Sequence, residues 1–201
     1  MSIFKKFLKS LLPAQKEEES NTERSRYLPE QVLPVDELFT VNFKNNGGKF
    51  LYCDAVEDLN ETFVNILVEN DWFEKEALTF ENQFHSLLQS NNIKFNDVET
   101  PVFFISTCES LIADEGSILF SDKQIRDIKT NNLPQNIIIL AKTSQITRTK
   151  SDGLREIKKK YGSPLPSNIT AINCFKASVN PDFLSYGRSP KNLYLLLLED
   201  L

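Results

Sequence analysis

Seven residues near the C-terminus constrain this chain more than any other stretch. Asn192 to Leu198 reads Asn-Leu-Tyr-Leu-Leu-Leu-Leu, a strand-length run in which nearly every side chain is apolar. A strand with one wet face alternates apolar and polar residues, and this one does not, so both of its faces must be covered. Asn136 to Ala141 is a second buried strand of the same kind. Pro101 to Ser121 carries two further apolar runs separated by a small polar junction and a carboxylate pair against a glycine. That stretch reads as a central strand pair, with any site at the turn between the two runs.

The segments around these runs are helical in period. Val56, Leu59, Phe63, Ile66 and Leu67 repeat at 3.6 within Asp54–Asn70. Asp36–Asn46 fits a strand through Phe39, Val41 and Phe43, or a helix through Val35, Leu38 and Phe39. Helix is preferred, with Asn45-Asn46-Gly47-Gly48 as its cap and Lys49–Cys53 as the next strand. A helix is expected over about Phe80–Gln89, a polar loop or short helix over 122–135, and a strand over Ile169–Phe175. Helix and strand alternate, which is the pattern of an α/β layer fold. A chain of 201 residues is long enough for one such domain.

Two terminal segments stand apart. Residues 1–12 place Ile3, Phe4, Phe7, Leu8, Leu11 and Leu12 on one helical face and Lys5, Lys6 and Lys9 on the other, up to Pro13. This amphipathic helix could touch a membrane or a partner. Docking on its own domain or a sister subunit is preferred. Residues 13–34 read as a linker, with Glu17, Glu18 and Glu19 and no apolar side chain from Gln15 to Arg26, so the folded domain runs from 35 to 201.

Charge and cysteine usage exclude several chemistries. A net charge of -5 argues against nucleic acid. No run approaches the roughly 18 apolar residues of a membrane span, and no secretory leader pattern is present, so a cytoplasmic protein is expected. Cys53, Cys108 and Cys174 lie far apart without a CxxC, which leaves no iron–sulfur or zinc spacing and no metal site. His85 is the one histidine, too few for a His-rich metal site or a Cys–His pair. No phosphate-cradling glycine loop occurs, so no nucleotide cofactor is implied. Between Asp54 and Glu81 nine acids face a single base, Lys75, whereas Lys142–Lys160 holds seven bases and two acids. Both read first as solvated faces, with Ile146, Leu154, Ile157 and Tyr161 able to line one helix face of the basic segment and an anion-binding role for that segment as the alternative.

The candidate site gathers at 107–117. Thr107 and Glu109 end the first run; Asp114, Glu115, Gly116 and Ser117 open the second. Adjacent carboxylates on a strand point to opposite faces, so one of Asp114 and Glu115 should be buried and the other exposed. Gly116 allows backbone or ligand to come close, while Thr107 and Ser117 offer hydroxyls. The same residues could instead only satisfy turn amides and pack tightly.

Ser110-Leu-Ile-Ala-Asp-Glu-Gly-Ser-Ile-Leu119 resembles the A-x-[TE]-G-[ST]-[IV] segment of LUD-domain proteins, the lactate-utilisation (LutC/YkgG-like) family. The order that follows is also similar: Asn136–Ala141 as the next strand, Gln145-Ile146 opening a helix, and Tyr186-Gly-Arg-Ser-Pro190 before the last strand. Arg188 stands where the family's terminal segment often has histidine, and Ala177–Phe183 matches the family's [ST]-x-[ST]-A-D-I-E run loosely. The resemblance implies a Rossmann-like three-layer sandwich of the NagB/RpiA/CoA-transferase-like superfamily. It implies an accessory subunit in the oxidation of L-lactate to pyruvate, with iron–sulfur chemistry on partner proteins. It also implies that Glu115 would inherit a superfamily role as acid, base or nucleophile on a small acyl or carboxylate substrate. Thr107, Glu109, Asp114, Gly116, Ser117, Gly187 and Arg188 would be the ligand-binding set.

Overall fold

The computed structural model describes residues 33–95, 98–173, 175 and 190–200. The expected N-terminal helix, nearly all of the linker, Cys174, the segment Ala177–Phe183, and both Gly187 and Arg188 lie outside the described residues.

The elements in chain order are α1 (Val35–Asn45), β1 (Lys49–Cys53), α2 (Val56–Asn70), β2 (Ala77–Leu78), α3 (His85–Ser90), β3 (Phe103–Thr107), β4 (Ser110–Ile112), β5 (Ser117–Phe120), α4 (Asp122–Ile125), β6 (Asn136–Lys142), β7 (Ile146–Thr147), α5 (Lys150–Tyr161), β8 (Thr170–Ile172) and β9 (Asn192–Leu198). A five-stranded parallel sheet runs β1-β9-β6-β3-β2. A second sheet runs β7-β4-β5-β8, with β4 and β5 as an antiparallel hairpin. The fold is thus α/β, a parallel sheet flanked by helices, and Asp36–Asn46 is helical as preferred.

Strand alternation explains the layers. Along β9, Leu193, Leu195 and Leu197 enter one core, and Tyr194 and Leu196 the other. β6 splits the same way, with Ile137, Ile139 and Ala141 on one side and Ile138 on the other. The first core is closed by Phe39 and Phe43 of α1 and by Leu111, Ile118 and Phe120 of the hairpin. The second is closed by Leu59, Phe63, Ile66 and Leu67 of α2, together with Trp72 and Leu88. Trp72 stacks on Phe103 with ring centroids 5.1 Å apart. Each fully buried aliphatic or aromatic side chain contributes about 1.5–3 kcal/mol, so continuous apolar strands between two such cores are a large share of the fold's stability.

Two local expectations are corrected. The runs within Pro101–Ser121 are not neighbours in one sheet: β3 pairs with β6 and β2, whereas β4 and β5 belong to the second sheet. Apolar content alone does not choose a pairing partner, and the sharp break at Cys108-Glu109 carries the chain from one sheet to the other. In the basic segment, Ile146 lies in β7 rather than on a helix face, and Leu154 on α5 is 42% exposed, while Ile157 is buried. α5 approaches the hairpin closely because residue 153 is glycine: a Cβ there would lie 2.9 Å from Ile112 Cδ1 and 3.2 Å from Ser110 Oγ.

Candidate functional site

The break between the two sheets places a carboxylate in the interior. Glu109 follows β3, and its side chain has no solvent exposure. An ionised carboxylate in such a place needs several donors, and four converge. Ser121 Oγ donates to Oε1 at 2.7 Å, Gln124 Nε2 at 3.0 Å and the Tyr161 hydroxyl at 2.9 Å. Lys160 Nζ donates to Oε2 at 2.9 Å. Burial alone pushes the Glu109 carboxyl up, yet the bonds from Ser121, Lys160, Gln124 and Tyr161 outweigh it and hold its pKa below the ordinary value. Burial likewise pulls Lys160 down, but its bonds with Tyr161 and Glu109 leave it above the ordinary lysine value. Tyr161 is pushed up, first by burial and then by the negative charge of Glu109, so its phenol stays protonated at neutral pH.

Each donor is placed by local structure. Ser121 is the N-cap of α4; its backbone N–H donates to the Gln124 side chain at 2.9 Å, which orients that amide next to Glu109. Lys160 and Tyr161 form the last turn of α5. That helix starts at a capping box: the Asp152 N–H donates to Thr149 Oγ1 and the Thr149 N–H to Asp152 Oδ2, both at 3.2 Å, and the Thr149 hydroxyl donates to the same carboxylate at 2.7 Å. The bonds from Thr149 lower the Asp152 pKa.

Beside this cluster a cleft of about 260 Å³ opens between α5 and the second sheet. Glu109, Ser110, Ser144, Gln145, Thr147, Glu156, Ile157 and Lys160 line it. It lies where β3 and β6 reach their C-terminal ends, the end of a parallel sheet at which ligands gather. At about 30 Å³ for a water-sized group, it has room for a molecule of fewer than about ten heavy atoms. Gln145 Nε2 donates to the Cys108 carbonyl at 2.7 Å and fixes the rim to the β3–β4 junction. Ser144 is held by Asp200, at 2.9 Å from its backbone N–H and 2.8 Å from its hydroxyl.

The other expected residues that are described fall elsewhere. Thr107 is met by Glu81, whose carboxylate accepts from the Thr107 N–H and hydroxyl, both at 2.6 Å, and from Ser106 Oγ at 2.8 Å. Asp114, Glu115 and Gly116 form the β4–β5 turn, which seats on α1. Asn42 Nδ2 donates to the Ala113 carbonyl at 2.8 Å and Asn46 Nδ2 to the Glu115 carbonyl at 2.7 Å. Gly116 has φ +58°, and the chain that comes close to it is the α1 backbone. Because the pair sits in a turn and not along a strand, neither carboxylate is buried: the Asp114 side chain is 46% exposed and pairs with Arg148 at 3.9 Å, and that of Glu115 is 37% exposed and pairs with Lys150 at 3.1 Å. Ser117 Oγ donates to Glu115 at 3.2 Å. Of the expected residues that are described, Glu109 alone lines the cleft.

The free thiols Cys53 and Cys108 are buried, and burial pushes both pKa values up, so neither is an activated nucleophile. His85 stacks on Phe95 with centroids 4.6 Å apart. Among the described residues, no cluster of three or more His, Cys, Asp or Glu is arranged to hold a metal ion, and no helix is long and apolar enough to cross a membrane.

Residues 37–198, which span both sheets and the cleft, match the sequence model of the LUD domain. The chain belongs to the LUD domain family. Its architecture is similar to the crystal structure of a DUF162 family protein from Deinococcus radiodurans, with a TM-score of 0.59 at 11% identity, covering 83% of this chain and 96% of that one. At that identity the likeness concerns the fold alone. No curated protein matches the chain. Within this LUD domain the residues that sequence reading passed over are those that complete the Glu109 cluster. Lys160 stood only as one base in a charged run and Tyr161 only as an apolar-face position. The capping pattern Ser121-x-x-Gln124 was the one local signal available for the remaining two.

Proposed function

We propose that this LUD domain protein, of the LutC/YkgG-like kind, is an accessory subunit in lactate utilisation. It supports the oxidation of L-lactate to pyruvate while partner proteins carry the iron–sulfur groups. The family match over residues 37–198 carries the reading. Cysteines at 53, 108 and 174 lack the close spacing of an iron–sulfur ligand run, which leaves redox chemistry to partners. The buried free thiols Cys53 and Cys108 fit a reducing, cytoplasmic setting. The test is reconstitution: the full chain should co-elute with iron–sulfur partners from its own cell, and leaving it out should lower their lactate oxidation. No association together with no effect on oxidation would refute the assignment.

A second reading makes the protein an enzyme on a small acyl or carboxylate substrate, with Glu115 as acid, base or nucleophile. It draws on the partly open Glu115 carboxylate, held between Lys150 and Ser117. Glu115→Gln should then abolish turnover without unfolding the chain, and unchanged turnover would end that reading.

A further inference from the structure

We infer that residues 3–12 dock on the exposed valine row of α2, so that the domain covers the apolar side of its own N-terminal segment. The inference is independent of the accessory-subunit reading.

α2 carries more apolar surface than its core uses. Leu59, Phe63 and Leu67 form one row at i, i+4 spacing and are buried. The adjacent row is Val56, Asn60, Val64 and Val68. Val56 is 57% exposed and Val68 64%, with Asn60 exposed and Val64 half-buried between them. Rows of this kind are the ridges along which a second helix packs. The next row round the helix is Glu57, Glu61, Asn65 and Glu69. Glu69 pairs with Lys49 at 3.4 Å, whereas Glu57 and Glu61 meet no cation among the described residues. The open face of α2 is therefore an apolar ridge with an unbalanced acidic flank.

Residues 3–12 offer the complement. Their sequence sets large apolar side chains on one helical face and Lys5, Lys6 and Lys9 on the other. A helix of that length is about 15 Å long, and the row from Val56 to Val68 runs about 18 Å. Other sources of positive charge fit less well. Arg148, Lys150, Arg155, Lys159 and Lys160 each pair with a carboxylate of their own domain, so the basic face of a second copy has little charge left to offer. An anionic lipid surface would be repelled by Glu57 and Glu61 and would leave the valines bare. The segment also enters near the right face. α1 and α2 flank the edge strand β1, which turns Phe50 and Tyr52 toward the core of α1 and Leu51 and Cys53 toward that of α2. Residues 13–32 have a coil dimension of about 25 Å, enough to pass around that edge. Tethering supplies an effective concentration on the order of millimolar, so contacts too weak to hold a free peptide suffice.

Hydrogen exchange of the full chain at low ionic strength, read by mass spectrometry on the N-terminal peptide, tests this. Residues 3–12 should exchange about tenfold or more slowly than an open chain, at a rate independent of protein concentration. Reversing the acids (Glu57→Lys with Glu61→Lys) should remove most of that slowing, and so should reversing the lysines (Lys5→Glu, Lys6→Glu and Lys9→Glu). Combining the two sets should restore it, which a merely unfolded variant would not do. Val68→Asp should abolish the slowing while urea unfolding read through Trp72 stays nearly unchanged, because residue 68 is exposed. Open-chain exchange in the native protein would overturn the inference, as would failure of the combined reversals to restore the slowing or an unaltered rate in Val68→Asp. Slowing that grows with protein concentration would assign the segment to a second copy, and slowing seen only with phosphatidylglycerol vesicles would assign it to a membrane; either result refutes docking on α2.

Discussion

Gly116→Ala should cost this fold about 3–6 kcal/mol, and the structure supplies each part of that figure. Residue 116 has φ +58°, where an alanine costs about 1–2 kcal/mol in local strain. Its Cβ would stand 2.4 Å from Asn42 C and Phe43 N and 2.7 Å from Asn42 O, against an ordinary contact of 3.4 Å or more. These are backbone atoms of α1 and cannot rotate away, so the turn and the helix must separate by about 1 Å. The separation stretches the Asn42 and Asn46 bonds to the turn carbonyls, worth about 1 kcal/mol each. It also disturbs Phe39 and Phe43, both fully buried, for about 1–3 kcal/mol more. The narrower unfolded ensemble of alanine returns about 0.4–1 kcal/mol. Urea unfolding followed through the single tryptophan, Trp72, buried against Phe103, reads the loss directly. Gly162→Ala is the control. It has φ +66° and ψ −120°, which only glycine adopts readily, and nothing within 4 Å of its Cβ, so it should show backbone strain alone, about 1–3 kcal/mol. If the two variants lose equal stability, the docking of the turn on α1 is not what residue 116 protects, and the reasoning fails.

Glu109 stabilises the fold as an anion whose folded pKa lies below 4.5, so its contribution is full above about that pH and is lost as pH falls through the folded value; acid titration of stability should be steeper in the native chain than in Glu109→Gln, and superimposable curves would contradict the geometry. Tyr194→Phe removes a buried hydroxyl that accepts from Asn70 at 2.9 Å, donates to Glu69 at 3.1 Å and bonds Lys49, and should lower stability by about 1–3 kcal/mol in the same urea assay. Thr149→Ala removes the N-cap of α5 and should cost about 1 kcal/mol. Glu115→Gln breaks a partly exposed ion pair with Lys150 and should change stability by no more than about 1 kcal/mol, which keeps a test of its chemistry free of unfolding.

The sequence by itself determined the layer plan. The apolar run Asn192–Leu198 has no polar face to give to water, and it lies where that demands, between β1 and β6 with a core on each side. The 3.6 repeat of Val56, Leu59, Phe63, Ile66 and Leu67 likewise states which face of α2 is buried, except at Val56 in the first turn, which is 57% exposed. These signals are local: period and composition fix what a segment must bury, whatever partner buries it. The LUD segment at 110–119 was legible for the same reason, as a contiguous pattern. Tertiary structure alone decided which strands pair and which charges meet. It sent the two halves of Pro101–Ser121 into different sheets, because two apolar runs of equal quality do not name their neighbours. It also carried Lys160 and Tyr161 to a carboxylate 51 and 52 residues away. In the sequence, Lys160 is one of three consecutive lysines. Packing of α5 through Gly153 against the hairpin is what singles it out from Lys158 and Lys159 and sets it between Glu109 and the cleft.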